Sequence, residues 1–314
     1  MLVFTSTLSQ MAYLLILIVL GFILVRSGLI PHSTAGVLSK LESYFFIPAS
    51  VLGTFMTGFT IEKLTSAGSF FIAGGIFMLV MAPLSVLISR LCTKDTYLRK
   101  IYTYGLAFSN FGFMGYAIVS ALFPEVYMNY LIFVFCFWIL IYTWAIPYLL
   151  IPDTEEKHGI FAGLKRLVNP MFVAMLIGII VGLTGLPVPS FATAAVNSLG
   201  DCMSPIAMLL TGMTVAEIDL KATFKKLSIY LISIIRLVLL PLFGIGVLML
   251  IPISYELKLC VICALAMPLG LNTIVIPAGY GKDTSVAAGL ALLSHILSCI
   301  TIPLIFMLFE LLIK

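Results

Sequence analysis

Two segments gather helix-breaking and amide-bearing residues inside otherwise apolar text. The first, GLAFSNFGFMGYAI over 105–118, carries Ser109, Asn110, Gly112 and Gly115. The second, ALAMPLGLNTIVIPAGYG over 264–281, carries Pro268, Gly270, Asn272, Thr273 and Pro277. Proline removes a backbone donor and collides with the preceding turn, and glycine weakens a helix interior by about 1 kcal/mol, so each cluster is expected to end a helix. A helix ended at membrane depth leaves N–H and C=O groups unpaired. Together with the amides of Asn110 and Asn272, those groups can hold a carboxylate by hydrogen bonds and helix-terminal charge. Ser109, Gly112, Pro268, Gly270 and Thr273 complete the candidate binding set, and Phe111, Phe113, Leu271 and Ile274 are its expected apolar walls.

Three ionisable residues fall near the middle of apolar runs: Asp201, Arg236 and His295. A charge at that depth costs roughly 2.5–3.5 kcal/mol on insertion scales, so each is a site candidate. Arg236 is read either as an anion-attracting or domain-pairing group or as the partner of a carboxylate such as Asp201. Asp201 is alternatively a proton or cation site, and His295 is a hydrogen-bonded packing residue or a proton relay. Lys40 and Glu42 lie close enough to the cytoplasmic edge to extend their charges to water.

Covalent and metal chemistry have no matching pattern. His32, His158 and His295 stand in separate segments, with no H-E-x-x-H and no Ser/His/Asp arrangement, which argues against a membrane-embedded enzyme. The six cysteines, Cys260 and Cys263 of a lone C-x-x-C included, lie in or beside apolar runs and are read as packing residues. No cofactor or metal is expected, and a coupling H⁺ or Na⁺ stays open.

The elements around these residues are set by composition. Of 314 residues, 62% are hydrophobic and 10% charged, against roughly 25% charged in soluble domains, and the mean hydropathy is +1.20. Most of such a surface faces lipid. The net charge of +4 is too small for a polyanion-binding face, so nucleic-acid binders are excluded along with soluble enzymes and secreted disulfide scaffolds.

A bilayer core takes about 20 apolar residues per helix. Ten such runs are read, at about 8–25, 37–59, 67–91, 100–122, 128–150, 169–186, 191–214, 227–250, 257–280 and 284–312. The stretch before the first run, MLVFTSTLSQ, has no Lys or Arg and does not read as a cleaved signal. With both termini extracytoplasmic, 13 of the 17 Lys and Arg fall on or near the cytoplasmic side, against Lys63, Lys258 and Lys314 outside. Pro83, Pro147, Pro241 and Pro303 lack polar neighbours and are read as kinks, not breaks.

Helix-perturbing residues recur at a nearly constant offset. Gly21 and Gly178 differ by 178 − 21 = 157, and Gly28 and Gly185 by 185 − 28 = 157. Pro48 and Pro205 also differ by 157, Pro83 and Pro241 by 158, Gly112 and Gly270 by 158, and Pro31 with Pro187 and Pro147 with Pro303 by 156. GFILVRSGLIP over 21–31 reads against GIIVGLTGLP over 178–187. The expected fold is therefore all-α and integral to the membrane, with ten transmembrane helices as two inverted five-helix repeats. Residues 1–150 form the first repeat, 151–168 a cytoplasmic connector and 169–314 the second, with helices 4 and 9 broken. Five is odd, so the second half enters from the opposite side, an architecture of secondary transporters.

SNFGFMG, MPLGLNTIVIPAGYG, the Asn169-Pro170 pair and the ten-run layout together resemble the auxin efflux carrier family, whose prokaryotic members include malate and malonate permeases. The resemblance covers essentially the whole chain. It implies a scaffold of helices 1, 2, 6 and 7 and a transport domain of helices 3–5 and 8–10, whose crossed helices 4 and 9 carry substrate by an elevator movement. Plant members have a proline in both crossing helices. Here Pro268 stands in the ninth while Ser109 and Asn110 stand in the fourth, so a shallower first break is expected. The expected protein is a permease for small organic anions in the plasma membrane, in contact with lipid and dimerising through its scaffold. The alternatives are a sodium-coupled bile-acid-type symporter and a non-transporting receptor.

Overall fold

A computed structural model describes residues 2–31, 33–151, 168–216, 226–279 and 282–313. His32, His158 and nearly all of the expected connector lie outside the described residues. The chain order is α1 (Leu2–Arg26), α2 (34–58), α3 (Ile61–Cys92), α4 (Thr96–Ala107), α5 (Phe111–Leu122), α6 (Pro124–Leu150), α7 (Pro170–Thr184), α8 (Ser190–Asp201), α9 (Met203–Ala216), α10 (Leu227–Leu250), α11 (Tyr255–Ala266), α12 (Asn272–Gly279) and α13 (Ser285–Ile313). Among the described residues there is no strand, only an isolated antiparallel bridge between Ser109 and Leu269.

Among the described residues, six stretches are long and apolar enough to cross a membrane by length and composition: Leu8–Arg26, Ile61–Cys92, Pro124–Leu150, Ser190–Ala216, Leu227–Leu250 and Ser285–Ile313. Phe111–Leu122 and Pro170–Thr184 are shorter apolar helices. Their outward faces are apolar, with Ile72, Ile76, Leu79, Leu87 and Leu91 exposed along α3 and Leu231, Ile234, Phe243 and Leu250 along α10. Aliphatic side chains left in the open along whole helices fit a hydrocarbon surround and not water. Several such helices in one chain mark a multi-pass membrane protein.

Local sequence accounts for the helix ends. Asn169 caps α7, its side-chain oxygen accepting from the Phe172 amide at 3.0 Å, and Pro170 follows where no donor is required. At the other end Gly185 takes φ +63°, and Gly28 takes φ +76° after α1. These left-handed positions, 157 residues apart, are the only ones with positive φ among the described residues.

Helices run through the four isolated prolines. Pro83 and Pro303 lie inside α3 and α13, Pro147 sits in a π-helical stretch Ile141–Leu150, and Pro241 follows the π-turn Ile235–Leu239. The wider π-turn lets the chain accommodate a ring that would collide with the carbonyl four residues back.

Close helix contacts are made where glycine removes the side chain. A Cβ on Gly21 would stand 2.1 Å from the Leu209 carbonyl oxygen, so α1 and α9 touch backbone to backbone. A Cβ on Gly178 would stand 3.1 Å from the Leu52 oxygen, joining α7 to α2. The two contacts map onto each other, since 21 + 157 = 178 and 209 − 157 = 52. Likewise Gly182 meets the Phe59 carbonyl, while their counterparts Val25 and Ala216 share one buried cluster.

Glu42 departs from expectation. It opens a π-turn, Glu42–Phe46, that packs against α7, α8 and α9. Its side chain is fully buried and neither carboxyl oxygen has a hydrogen-bond partner among the described residues, whereas Lys40 stays exposed. Packing of the π-turn between helices, not distance along the chain to the membrane edge, sets its burial. An unsatisfied buried polar group costs about 1–3 kcal/mol, so Glu42→Leu should raise the melting temperature in detergent. A lower melting temperature would show that the carboxyl holds a partner.

Candidate functional site

The fourth and ninth expected spans are both interrupted, and the interruptions touch. Between α4 and α5 the backbone leaves the helix over 108–110, and between α11 and α12 over 267–271. The first gap is three residues and the second five, in line with a proline in only one of them. Where they cross, the Asn110 amide donates to the Pro268 carbonyl at 2.7 Å, and Ser109 and Leu269 form the antiparallel bridge. A Cβ on Gly270 would lie 3.2 Å from the Ser109 oxygen, so only a residue without a side chain allows this approach comfortably.

The polar side chains of the crossing are held by specific partners. Ser109 Oγ donates to the Ala264 carbonyl at 2.8 Å. Asn110 Nδ2 donates to His295 Nε2 at 2.9 Å, and His295 Nδ1 lies 2.7 Å from the Ala291 carbonyl. With the Asn110 amide in this orientation Nε2 accepts, and Nδ1 donates to the Ala291 carbonyl. Asn272 Nδ2 donates to the Tyr104 hydroxyl at 2.8 Å, and Thr273 Oγ1 to the Gly270 carbonyl at 2.9 Å. Ser109, Asn110, Thr273 and His295 are buried, while Asn272 is partly open. Residues 108–110 and 267–271 are all buried, so both gaps are closed and only Asn272, at the start of α12, is partly open.

Arg236 reaches the same place from the π-turn of α10. Its Nε donates to the Met267 carbonyl at 3.1 Å, Nη1 to Leu106 at 3.0 Å and Nη2 to Ala264 at 2.8 Å. Leu106 and Ala264 belong to the last turns of α4 and α11, whose carbonyls lose their helical partners at the breaks.

Of the candidates, Ser109, Asn110, Pro268, Gly270, Asn272, Thr273, Arg236 and His295 come together at the crossing. Gly112 stands one turn further, in the π-turn Phe111–Gly115 against the Trp138 ring. Asp201 does not join them. It is exposed at the end of α8, before a turn at Cys202, and Arg236 pairs with carbonyls instead of with it. Tyr104 and Ser294, whose Oγ accepts from the Leu269 amide at 3.2 Å, are crossing residues that sequence reasoning missed. Ser294 adjoins His295 in sequence, and that adjacency was its one available signal.

Phe111 packs edge-on against both Phe137 and Trp138, each at 5.1 Å between ring centres, which fixes the start of α5 on α6. Among the described residues, no three His, Cys, Asp or Glu side chains gather as a metal site would require. All six cysteines are free, Cys260 and Cys263 buried side by side on α11. A surface groove of about 260 Å³ lined by Met56, Val181, Gly182 and Leu186 lies between α2 and α7, apart from the crossing.

No curated protein matches the chain. A family model described as membrane transport protein matches residues 6–160 and 156–306, which together take in nearly its full length. Helices with apolar outer faces, two broken helices meeting at buried polar groups, and this match agree, and the chain belongs to the membrane transport protein family of auxin efflux carrier type.

Proposed function

We propose that this membrane transporter is a secondary permease for small organic anions, working by alternating access with the crossing as its substrate site. The observation that carries the proposal is the back-to-back break at 108–110 and 267–271, joined by the bond from Asn110 to Pro268. Beyond each break a helix starts with its N–H groups directed toward the gap: α5 at Phe111 and α12 at Asn272. Such ends attract anions through free N–H groups and a positive pole of roughly half a charge. Asn110 and Asn272 orient the carboxylate, and Phe113 and Ile274 accept its apolar remainder.

In this reading all ten runs cross the membrane, as two inverted five-helix repeats with 151–168 on the cytoplasmic side and both termini outside, in the plasma membrane. Support comes from paired contacts: α1 with α9 and α7 with α2 exchange under the 157-residue offset. At the crossing the offset is 158, and Asn110 with Pro268 maps onto itself because 110 + 158 = 268, as a pseudo-twofold axis requires. Helices 1, 2, 6 and 7 form a scaffold that pairs in a homodimer, and helices 3–5 and 8–10 move as an elevator. The close α1–α9 and α2–α7 contacts lie within the scaffold group, and the Arg236 bonds within the transport group.

A thermal-shift screen of mono- and dicarboxylates on the purified protein tests the site. A carboxylate that stabilises the protein should lose most of its effect on Asn110→Ala and Asn272→Ala. Equal shifts in all three proteins would remove the site assignment. Counterflow of labelled malate in proteoliposomes separates a transporter from a receptor, because a receptor binds without exchanging label.

A further inference from the structure

Resting on that reading, we propose that the Arg236 guanidinium is a resident cation at the crossing, standing where a coupling sodium ion would bind, so that transport does not draw on a sodium gradient. In transporters with broken helices, freed carbonyls and the C-terminal ends of half-helices are the groups that coordinate Na⁺. Here three of those groups are taken. Arg236 is 1% exposed, and its three nitrogens each donate to one carbonyl: Leu106 from α4, Ala264 from α11 and Met267 just past α11.

The charges match as well as the geometry. Each helix C-terminus carries roughly half a negative charge. The ends of α4 and α11 together present about one negative charge, and a guanidinium, always protonated, supplies one positive charge. Among the described residues no carboxylate pairs with Arg236, so the two helix ends are its counter-ion. An added sodium ion would meet carbonyls already engaged and a like charge beside them. A planar group with five donors in a fixed fork also binds two helix ends and the first residue of the second break at once, tying α4, α10 and α11 into one body.

The test compares melting temperatures of the full-length protein in equal concentrations of sodium chloride and choline chloride. The parent protein and Arg236→Lys, which keeps a positive charge and three donors, should melt at the same temperature in both salts. Arg236→Gln opens the carbonyl cage, so it should melt lower in choline and gain a few degrees selectively from sodium. Parent protein stabilised by sodium over choline overturns the proposal, and so does an Arg236→Gln variant blind to sodium. Should Arg236→Gln yield no protein, the Lys variant decides, since any sodium preference gained there contradicts a retained resident cation. In proteoliposomes, an imposed sodium gradient should leave the initial rate of labelled malate uptake unchanged, and an accelerated rate counts against the proposal. The melting comparison does not depend on malate being carried, so a failed substrate assignment and a failed resident cation give different results.

Discussion

Gly212→Leu is expected to leave no monodisperse protein after extraction in mild detergent. A Cβ at Gly212 would stand 1.9 Å from the Ile18 carbonyl oxygen, and one at Gly21, on the facing helix, 2.1 Å from that of Leu209. Real Cβ atoms do not approach an oxygen that closely, and backbone cannot swing aside as a side chain can. The helices α1 and α9 must then separate along their length, stripping dispersion contacts that are the main attraction between helices in lipid. Overpacking a core costs about 1–3 kcal/mol when side chains can adjust, and here they cannot. Gly182→Leu should fail in the same way at the α7–α2 contact, where the Phe55 and Phe59 oxygens lie 2.6 Å from its Cβ position. Gly246→Leu is the control, because nothing lies within 4 Å of its Cβ position. Size-exclusion profiles of the three variants check the argument, and a normal profile for Gly212→Leu would falsify the close contact.

Asn110→Leu is expected to abolish carboxylate exchange, lowering labelled malate counterflow by on the order of 100-fold, the size of loss seen when a preorganised hydrogen-bond donor is removed from an enzyme's anion site. The same change should lower stability by about 1–3 kcal/mol, because His295 Nε2 loses its donor while staying buried. His295→Leu in the Asn110→Leu background removes the stranded acceptor and should recover part of the stability without recovering exchange. A coupling energy of about 0.5–3 kcal/mol is the expected size for a contacting pair. Additive losses would mean that the two residues do not interact. Undiminished counterflow in Asn110→Leu would place the substrate elsewhere.

The breaks were readable because their causes are local. Proline, glycine and asparagine act on their own turn, so 105–118 and 264–281 declared themselves without knowledge of any neighbour. Even the unequal depth of the two gaps followed from one proline. The partners of Arg236 were not readable, since they are main-chain oxygens of Leu106, Ala264 and Met267, and a carbonyl leaves no mark in residue type. Pairing Arg236 with Asp201 assumed that a buried charge must find a charged side chain, whereas two helix ends serve as well. Glu42 was misplaced for a related reason: counting residues to a membrane edge ignores the π-turn that draws it between helices. The expected runs 37–59 and 257–280, like 100–122 and 169–186, are not among the six long apolar stretches of the described residues. Lys40 and Glu42 dilute the first of them, and the break divides the second.

The bond at the pivot has a direction. If both halves carried asparagine there, an antiparallel pair could exchange two N–H···O bonds, and if both carried proline it could form none. Asn110 facing Pro268 gives one, donated only from the first half. Under the proposed exchange of roles between halves, a perfectly duplicated chain would have outward and inward forms of identical energy. A single one-way bond at their shared point is a local departure from that symmetry, and because it joins two helices of the same proposed moving body it travels with the site whichever side the site faces.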